Sequence, residues 1–127
     1  MNALGSHFLI EYHRCDPKTL NHLERVRGIM IEAANVCGAS VLDSSFHRFS
    51  PQGVSGVVVI AESHITIHTW PEYDYAAVDI FTCGKKVDPW KAYHHIKNRL
   101  DSRETTVREI ERGELTEIES RVRHGST

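Results

Sequence analysis

Apolar residues recur every three or four positions between Leu20 and Cys37. The stripe Leu20, Leu23, Val26, Met30, Ala33, Ala34 and Cys37 predicts a helix with one buried face, leaving Glu24, Arg25 and Glu32 in water. Asp16-Pro17 supplies an N-cap carboxylate and a proline at the first helical position, and Gly38 stands where a left-handed C-cap is needed. The same spacing returns at Trp90, Tyr93, Ile96 and Leu100 after Asp88-Pro89, a second helix that ends near Ser102. Elsewhere the pattern is that of strands. Residues 7 to 14 read as a first strand, Ala39 to about Phe49 as a second, and Val54 to Ile60 as a third after the turn Ser50-Pro51-Gln52-Gly53. Ser63 to Trp70 alternates polar and β-branched residues with a period of two, Pro71-Glu72-Tyr73-Asp74 breaks it, and Tyr75 to Cys83 resumes before Gly84. Thr105 to Ile110 can add a last strand.

This order of elements describes an α+β fold: a two-layer sandwich in which two helices cover one face of a largely antiparallel sheet. Val57 to Ala61 lacks polar alternation, as expected of a strand covered on both faces, yet two helices cover only one. A second copy of the chain is the simplest cover for the other face, which predicts a homodimer. The stretch from Glu111 to Thr127 is charged, with Leu115, Ile118 and Val122 as its apolar residues, and reads as a mobile or loosely docked tail.

Composition narrows the function classes. A chain of 127 residues, 40% hydrophobic, is the size of a single domain, 1–127. Fifteen basic against seventeen acidic residues give no basic excess for nucleic acid or an anionic membrane. The longest apolar run, Val57 to Ala61, is far short of the ~20 residues of a membrane helix, and Met1-Asn2-Ala3-Leu4 lacks a signal-peptide layout, so a cytosolic protein is expected. Cys15, Cys37 and Cys83 form no close pair and should be thiols there. His64 and His68 have the spacing of a helical zinc site, but on a strand they stand roughly 13 Å apart, too far for one ion. No metal site is expected.

Ser55, Glu62, Ser63, His64, His68, Glu72, Asp79 and Cys83 crowd the segment Phe46 to Gly84 among apolar strands, where shifted protonation equilibria arise. Taken by themselves, Cys83 and His68 read as a thiol nucleophile and its base or as two packed core residues. Ser63 lies outside any Gly-x-Ser-x-Gly elbow.

The run from Phe46 to Tyr73 has a more particular character. It contains Phe46-His47-Arg48-Phe49, Pro51-Gln52-Gly53-Val54-Ser55-Gly56, Ala61-Glu62-Ser63-His64 and Ile67-His68-Thr69-Trp70-Pro71-Glu72-Tyr73. With Ala76-Ala77-Val78-Asp79, Phe81-Thr82-Cys83-Gly84 and Val87-Asp88-Pro89-Trp90-Lys91-Ala92, it resembles the short S-adenosylmethionine decarboxylases of bacteria and archaea over roughly residues 4 to 100. Asp74 departs from the resemblance, since close relatives are expected to carry glycine there.

The resemblance implies a pyruvoyl enzyme that makes its own cofactor. Ser63 attacks the carbonyl of Glu62, and the chain is cut into 1–62 (the β chain) and 63–127 (the α chain), the second beginning with a pyruvoyl group derived from Ser63. His68 matches the processing base, a role that suits imidazole because it exchanges protons near neutral pH. Ser55 matches a helper, by a hydrogen bond to the attacked carbonyl, and its bland alternative is a turn residue at a strand edge. The pyruvoyl ketone then forms a Schiff base with the α-amino group of S-adenosylmethionine and draws electrons as carbon dioxide leaves. Cys83 matches the proton donor to the carbanion, a task for which a thiol is apt. Phe49 and Trp70 match the walls of the adenosyl pocket and Glu72 the carboxylate on the ribose hydroxyls, with core aromatics and a turn carboxylate as their plain alternatives. The pocket is expected to use groups from both protomers of the homodimer, two α and two β chains after cleavage, and the product would be the aminopropyl donor of spermidine biosynthesis. Two other readings share these residues: a pyruvoyl-dependent arginine or ornithine decarboxylase, and a non-cleaving ligand-binding domain.

Overall fold

A computed structural model describes residues 2–123. Its elements are β1 (Ala3–His13), α1 (Pro17–Leu20), α2 (Leu23–Val36), β2 (Val41–Arg48), β3 (Val54–Ile60), β4 (Ser63–Trp70), a 3₁₀ turn (Pro71–Tyr73), β5 (Tyr75–Cys83), α3 (Pro89–Arg99), β6 (Glu104–Glu114) and α4 (Leu115–Arg123). The six strands form one sheet in the order β2-β3-β4-β5-β1-β6, and every neighbouring pair is antiparallel. Helices α2 and α3 pack against each other and against one face of it. The expected α+β architecture with two helices on one face is what the chain forms.

Strand periodicity decides what lies beneath those helices. Phe8, Ile10 and Tyr12 of β1, Val58 and Ile60 of β3, Ile65 and Ile67 of β4, and Val78 and Ile80 of β5 meet Val26, Ile29, Met30 and Ala33 of α2 and Ile96 of α3 in one buried cluster. Such cores supply most of the stabilising free energy of a domain this small. The fully buried Tyr12 donates its Oη hydrogen to the carbonyl of Tyr93 at 2.9 Å, so its burial leaves no orphan donor, while the same burial pushes its phenol pKa upward.

The single helix expected after Asp16-Pro17 is two. Asp16 caps α1 by accepting from the Lys18 amide, as foreseen, but the chain opens at Asn21 and restarts with His22 Nδ1 accepting from the Arg25 amide. The break has a distant cause: Asn21 Oδ1 accepts from the Gly53 amide at 3.0 Å, and Arg48 Nε donates to the Asn21 carbonyl at 3.2 Å. The opened turn thus clamps the β2–β3 connection.

The last strand runs on to Glu114, past the expected Ile110, and residues 115–123 form α4, none of them buried. Residues 124–127 of the expected tail lie outside the described residues. Among the described residues, no helix is long and apolar enough to cross a membrane.

The second face of the sheet is uncovered within one chain. Val58 and Ile60 are buried under the helices, whereas Val59 between them is 37% exposed, so the coverage of both faces expected for this run is not met by a single copy. Cross-strand register places His64, Thr66, His68 and Trp70 of β4 beside Phe81, Asp79, Ala77 and Tyr75 of β5 on that open face.

Candidate active site

Strands β3 and β4 form a hairpin closed by Ala61 and Glu62, with Ile60 paired to Ser63. Glu62 has a left-handed backbone, φ 67°, and this turns Ser63 back on its own amide. The Ser63 hydroxyl donates to the Glu62 carbonyl oxygen at 2.6 Å and accepts from the Cys83 amide at 3.0 Å. The hydroxyl therefore points at the carbonyl of the bond that a self-cleaving serine must attack, and the Cys83 amide fixes it there. Cys83 ends β5 opposite Gly5 of β1. A β-carbon on Gly5 would come within 2.7 Å of the Phe81 ring, so glycine keeps this end of the sheet open.

The other end of the same hairpin holds a second group. Ser55 of β3 is paired directly with His68 of β4, and Ser55 Oγ lies 2.7 Å from His68 Nδ1. The Trp70 ring is 6.3 Å from that of His68 and stacks on Tyr75 at 5.4 Å. Glu72 follows in the 3₁₀ turn that Pro71 begins. Phe49, just beyond β2, lies edge-on to His47 and is half exposed. Phe49, Gly53, Ser55, His68, Trp70 and Glu72 line a cavity of about 240 Å³. Exposed aromatic rings beside a carboxylate and an imidazole suit a flat, hydroxyl-bearing, cationic ligand.

All the expected site residues are thus found at two ends of one hairpin. Glu62, Ser63 and Cys83 stand together, and so do Phe49, Ser55, His68, Trp70 and Glu72. The two groups do not meet in one chain. Ser63 and His68 stand five positions apart on β4, about 16 Å at the rise of an extended strand.

The pattern of residues missed two features. Thr69 Oγ1 accepts from the Val54 amide and donates to the Leu20 carbonyl, both at 2.8 Å, bracing β3 and β4 against α1 just behind Trp70. Together with the Asn21 clamp it fixes the loops that carry Phe49 and Glu72. Near Cys83, a row of rings crosses the open face: His64 and His7 flank Phe81 at 5.7 and 5.8 Å, and His7 Nε2 lies 3.6 Å from Asp79 Oδ1. Only long-range register brings these residues together, so local spacing carries no signal for them. Among the described residues no three His, Cys, Asp or Glu side chains converge as a cation site requires.

Comparison with known proteins bears directly on this arrangement. Residues 6–113 match the family described as S-adenosylmethionine decarboxylase. The S-adenosylmethionine decarboxylase proenzyme of Thermotoga maritima is 52% identical over 118 residues, covering 93% of this chain and 91% of that protein. The corresponding proenzyme of Caldicellulosiruptor saccharolyticus is 55% identical over 113 residues, 89% and 91% of the two chains. Among solved structures, the adenosylmethionine decarboxylase of Aquifex aeolicus superposes with a TM-score of 0.83 at 32% identity, covering 89% of this chain and 93% of that one. The Trypanosoma brucei AdoMetDC monomer, with a TM-score of 0.58 and 14% identity over 80% of this chain and 44% of that one, shares the fold.

Proposed function

The chain belongs to the S-adenosylmethionine decarboxylase family, and from that premise we propose that it cuts itself between Glu62 and Ser63 and then releases carbon dioxide from S-adenosylmethionine. The observation that carries this reading is the Ser63 hydroxyl, held 2.6 Å from the carbonyl oxygen of the residue before it. The relatives just named are all S-adenosylmethionine decarboxylases, so the arginine and ornithine readings gain no support, and their designation as proenzymes speaks for processing over a non-cleaving binding domain.

Processing follows from the chemistry of that contact. Ser63 Oγ bonds to the Glu62 carbonyl carbon, the carbon–nitrogen bond breaks, and the hydroxyl proton ends on the freed nitrogen, leaving an ester. A base then takes the Ser63 Cα proton, and Glu62 departs as a carboxylate. Water replaces the nitrogen of the remaining dehydroalanine, ammonia leaves, and the pyruvoyl group is the new end of the second chain. His68 is the base, aligned by Ser55 through the 2.7 Å contact.

A His68 about 16 Å from Ser63 in its own chain cannot do this, and the Ser55–His68 group of a second copy must supply it. We therefore infer a homodimer in which the open sheet faces pack together and each site joins the Ser63 end of one chain to the Ser55–His68 end of the other. The exposed Val59 and Trp70 support that cover, since large apolar side chains on a broad uncovered sheet face mark an interface.

In catalysis the pyruvoyl ketone supplies the electron sink that takes up the substrate's amino group and the electron pair left by carbon dioxide. The chain's own residues do the rest. Phe49 and Trp70 hold the adenine and the sulfonium against aromatic faces, Glu72 accepts from the ribose hydroxyls, and Cys83, beside the new chain end, returns a proton to the decarboxylated carbon. The product is an aminopropyl donor of the kind spermidine synthesis consumes. The three free cysteines fit a reducing cytosol.

Mass spectrometry of the purified protein tests the reading. Wild type should yield residues 1–62 and a pyruvoyl-blocked 63–127, and should release carbon dioxide from S-adenosylmethionine but not from arginine or ornithine. Ser63→Ala should stay whole and inactive. An active, uncut Ser63→Ala protein would sink the pyruvoyl mechanism.

A further inference from the structure

We infer that the left-handed backbone of Glu62 is a strained joint that speeds self-cleavage, because the strain is relieved as the Glu62–Ser63 amide becomes an ester. The inference rests on the self-cleaving reading above.

A two-residue connection between antiparallel strands favours turns whose first central residue has positive φ, since their twist matches that of the strands. The Ala61-Glu62 turn has the opposite pattern: among the described residues Glu62, at φ 67°, has positive φ and Ala61 does not. Positive φ at the second central residue alone belongs to turns that splay flanking strands and that place glycine or asparagine there. Glutamate has neither the freedom of glycine nor the short side chain that lets asparagine and aspartate bond locally in this region. Three other non-glycine residues share the left-handed conformation, Arg14, Asp74 and Asp101, and each of these lies in a loop at a strand or helix end rather than at a bond to be cut.

The surroundings hold the conformation in place. Ile60 and Ser63 pair below the turn, the Ala61 amide donates to the Ser40 carbonyl at 3.0 Å on one side, and the Cys83 amide holds Ser63 Oγ at 3.0 Å on the other. Such over-determination is the condition under which a costly backbone conformation persists. The reaction itself offers release. In the amide one atom, the nitrogen, connects the Glu62 carbonyl carbon to Ser63 Cα; in the ester two atoms, Oγ and Cβ, connect them. The oxygen–carbon bond forms, the carbon–nitrogen bond breaks, the hydroxyl proton moves to the nitrogen, and nothing else enters or leaves. An ester is ordinarily the less stable side of this exchange, and the longer connection lets the turn relax as it forms, which offsets that preference.

The test compares Glu62→Gly with Glu62→Ala. Both lose the carboxylate, and only alanine retains the cost of a left-handed backbone. Pulse-labelled synthesis, with cut and uncut chains resolved on gels, gives the cleavage rate. Glu62→Gly should cleave roughly tenfold more slowly than Glu62→Ala. In the non-cleaving Ser63→Ala background, Glu62→Gly should melt a few degrees, about 3 to 6 °C, above Glu62→Ala. A glycine variant that cleaves as fast as the alanine variant, or melts no higher, overturns the inference. A parent chain that never cuts removes the self-cleaving reading as well; a parent that cuts while glycine matches alanine removes this inference alone.

Discussion

If each site joins the two ends of different hairpins, two inactive variants should restore each other. Ser63→Ala lacks the nucleophile and His68→Ala the base, so each alone should remain uncut. In a mixed dimer, one site combines Ser63 of the His68→Ala chain with His68 of the Ser63→Ala chain and is whole; the other combines both lesions. Random pairing at equal expression makes about half of the dimers mixed, each with one working site, so decarboxylase activity should return to about a quarter of wild type. The fragments carry a further signature. Only the His68→Ala chain can be cut, and about half of its copies should be. Co-expression with distinguishable tags, followed by mass spectrometry, reads both numbers. The roughly 16 Å between Ser63 and His68 in one chain underlies the expectation. Mixtures that stay uncut and inactive, while both variants remain folded and dimeric, would refute the shared site.

Other outcomes follow from local geometry. Cys83→Ala should still cleave, since the backbone amide that holds Ser63 Oγ is retained, yet its turnover should fall by about a hundredfold or more through loss of the proton donor; single-turnover carbon dioxide release separates the two. Gly56→Ala would place a β-carbon 2.0 Å from Phe46 Cδ2, so the ring must leave its seat over β3 and the fold should lose about 1 to 3 kcal/mol in urea titrations. Burial pushes the Cys15 thiol from 9.0 up to about 11. Between those values the unfolded chain has given up this proton and the folded one has not, so stability is full below pH 9 and declines as pH rises towards 11, by on the order of 2 kcal/mol. Cys15→Ala should lack that part of the alkaline decline.

The sequence was informative wherever a physical period acts over neighbours. Leu20 to Cys37 and Trp90 to Leu100 show helical spacing, Ser63 to Trp70 strand spacing, and the structure has helices and a strand in those places. It was silent where the deciding partner is remote. Asn21 looks like any polar residue in a helix, and it opens the helix because Gly53 and Arg48, across the fold, occupy its side chain and carbonyl. The strain at Glu62 carries no glycine or asparagine to advertise it. The site residues were legible by resemblance, but their division was not, since Ser63 and His68 look adjacent in sequence and strand geometry sets them at opposite ends of β4.

That division gives the dimeric reading its logic. In an antiparallel hairpin, residues near the turn and residues near the open end never approach each other, whichever face they share. A twofold axis across the face reverses one hairpin over the other, so the turn of each copy meets the open end of its partner and a single set of residues makes two complete sites. The same operation would cover Val59 and Trp70, whose apolar surface one chain leaves in contact with water. On that reading burial of the sheet and assembly of the site are one event, and a chain without a partner would hold the adenosyl cavity and the Ser63 end too far apart to share one substrate. On the proposed reading cleavage would then report correct assembly, since the electrophile would be made only where the Ser55–His68 pair of a second copy has arrived.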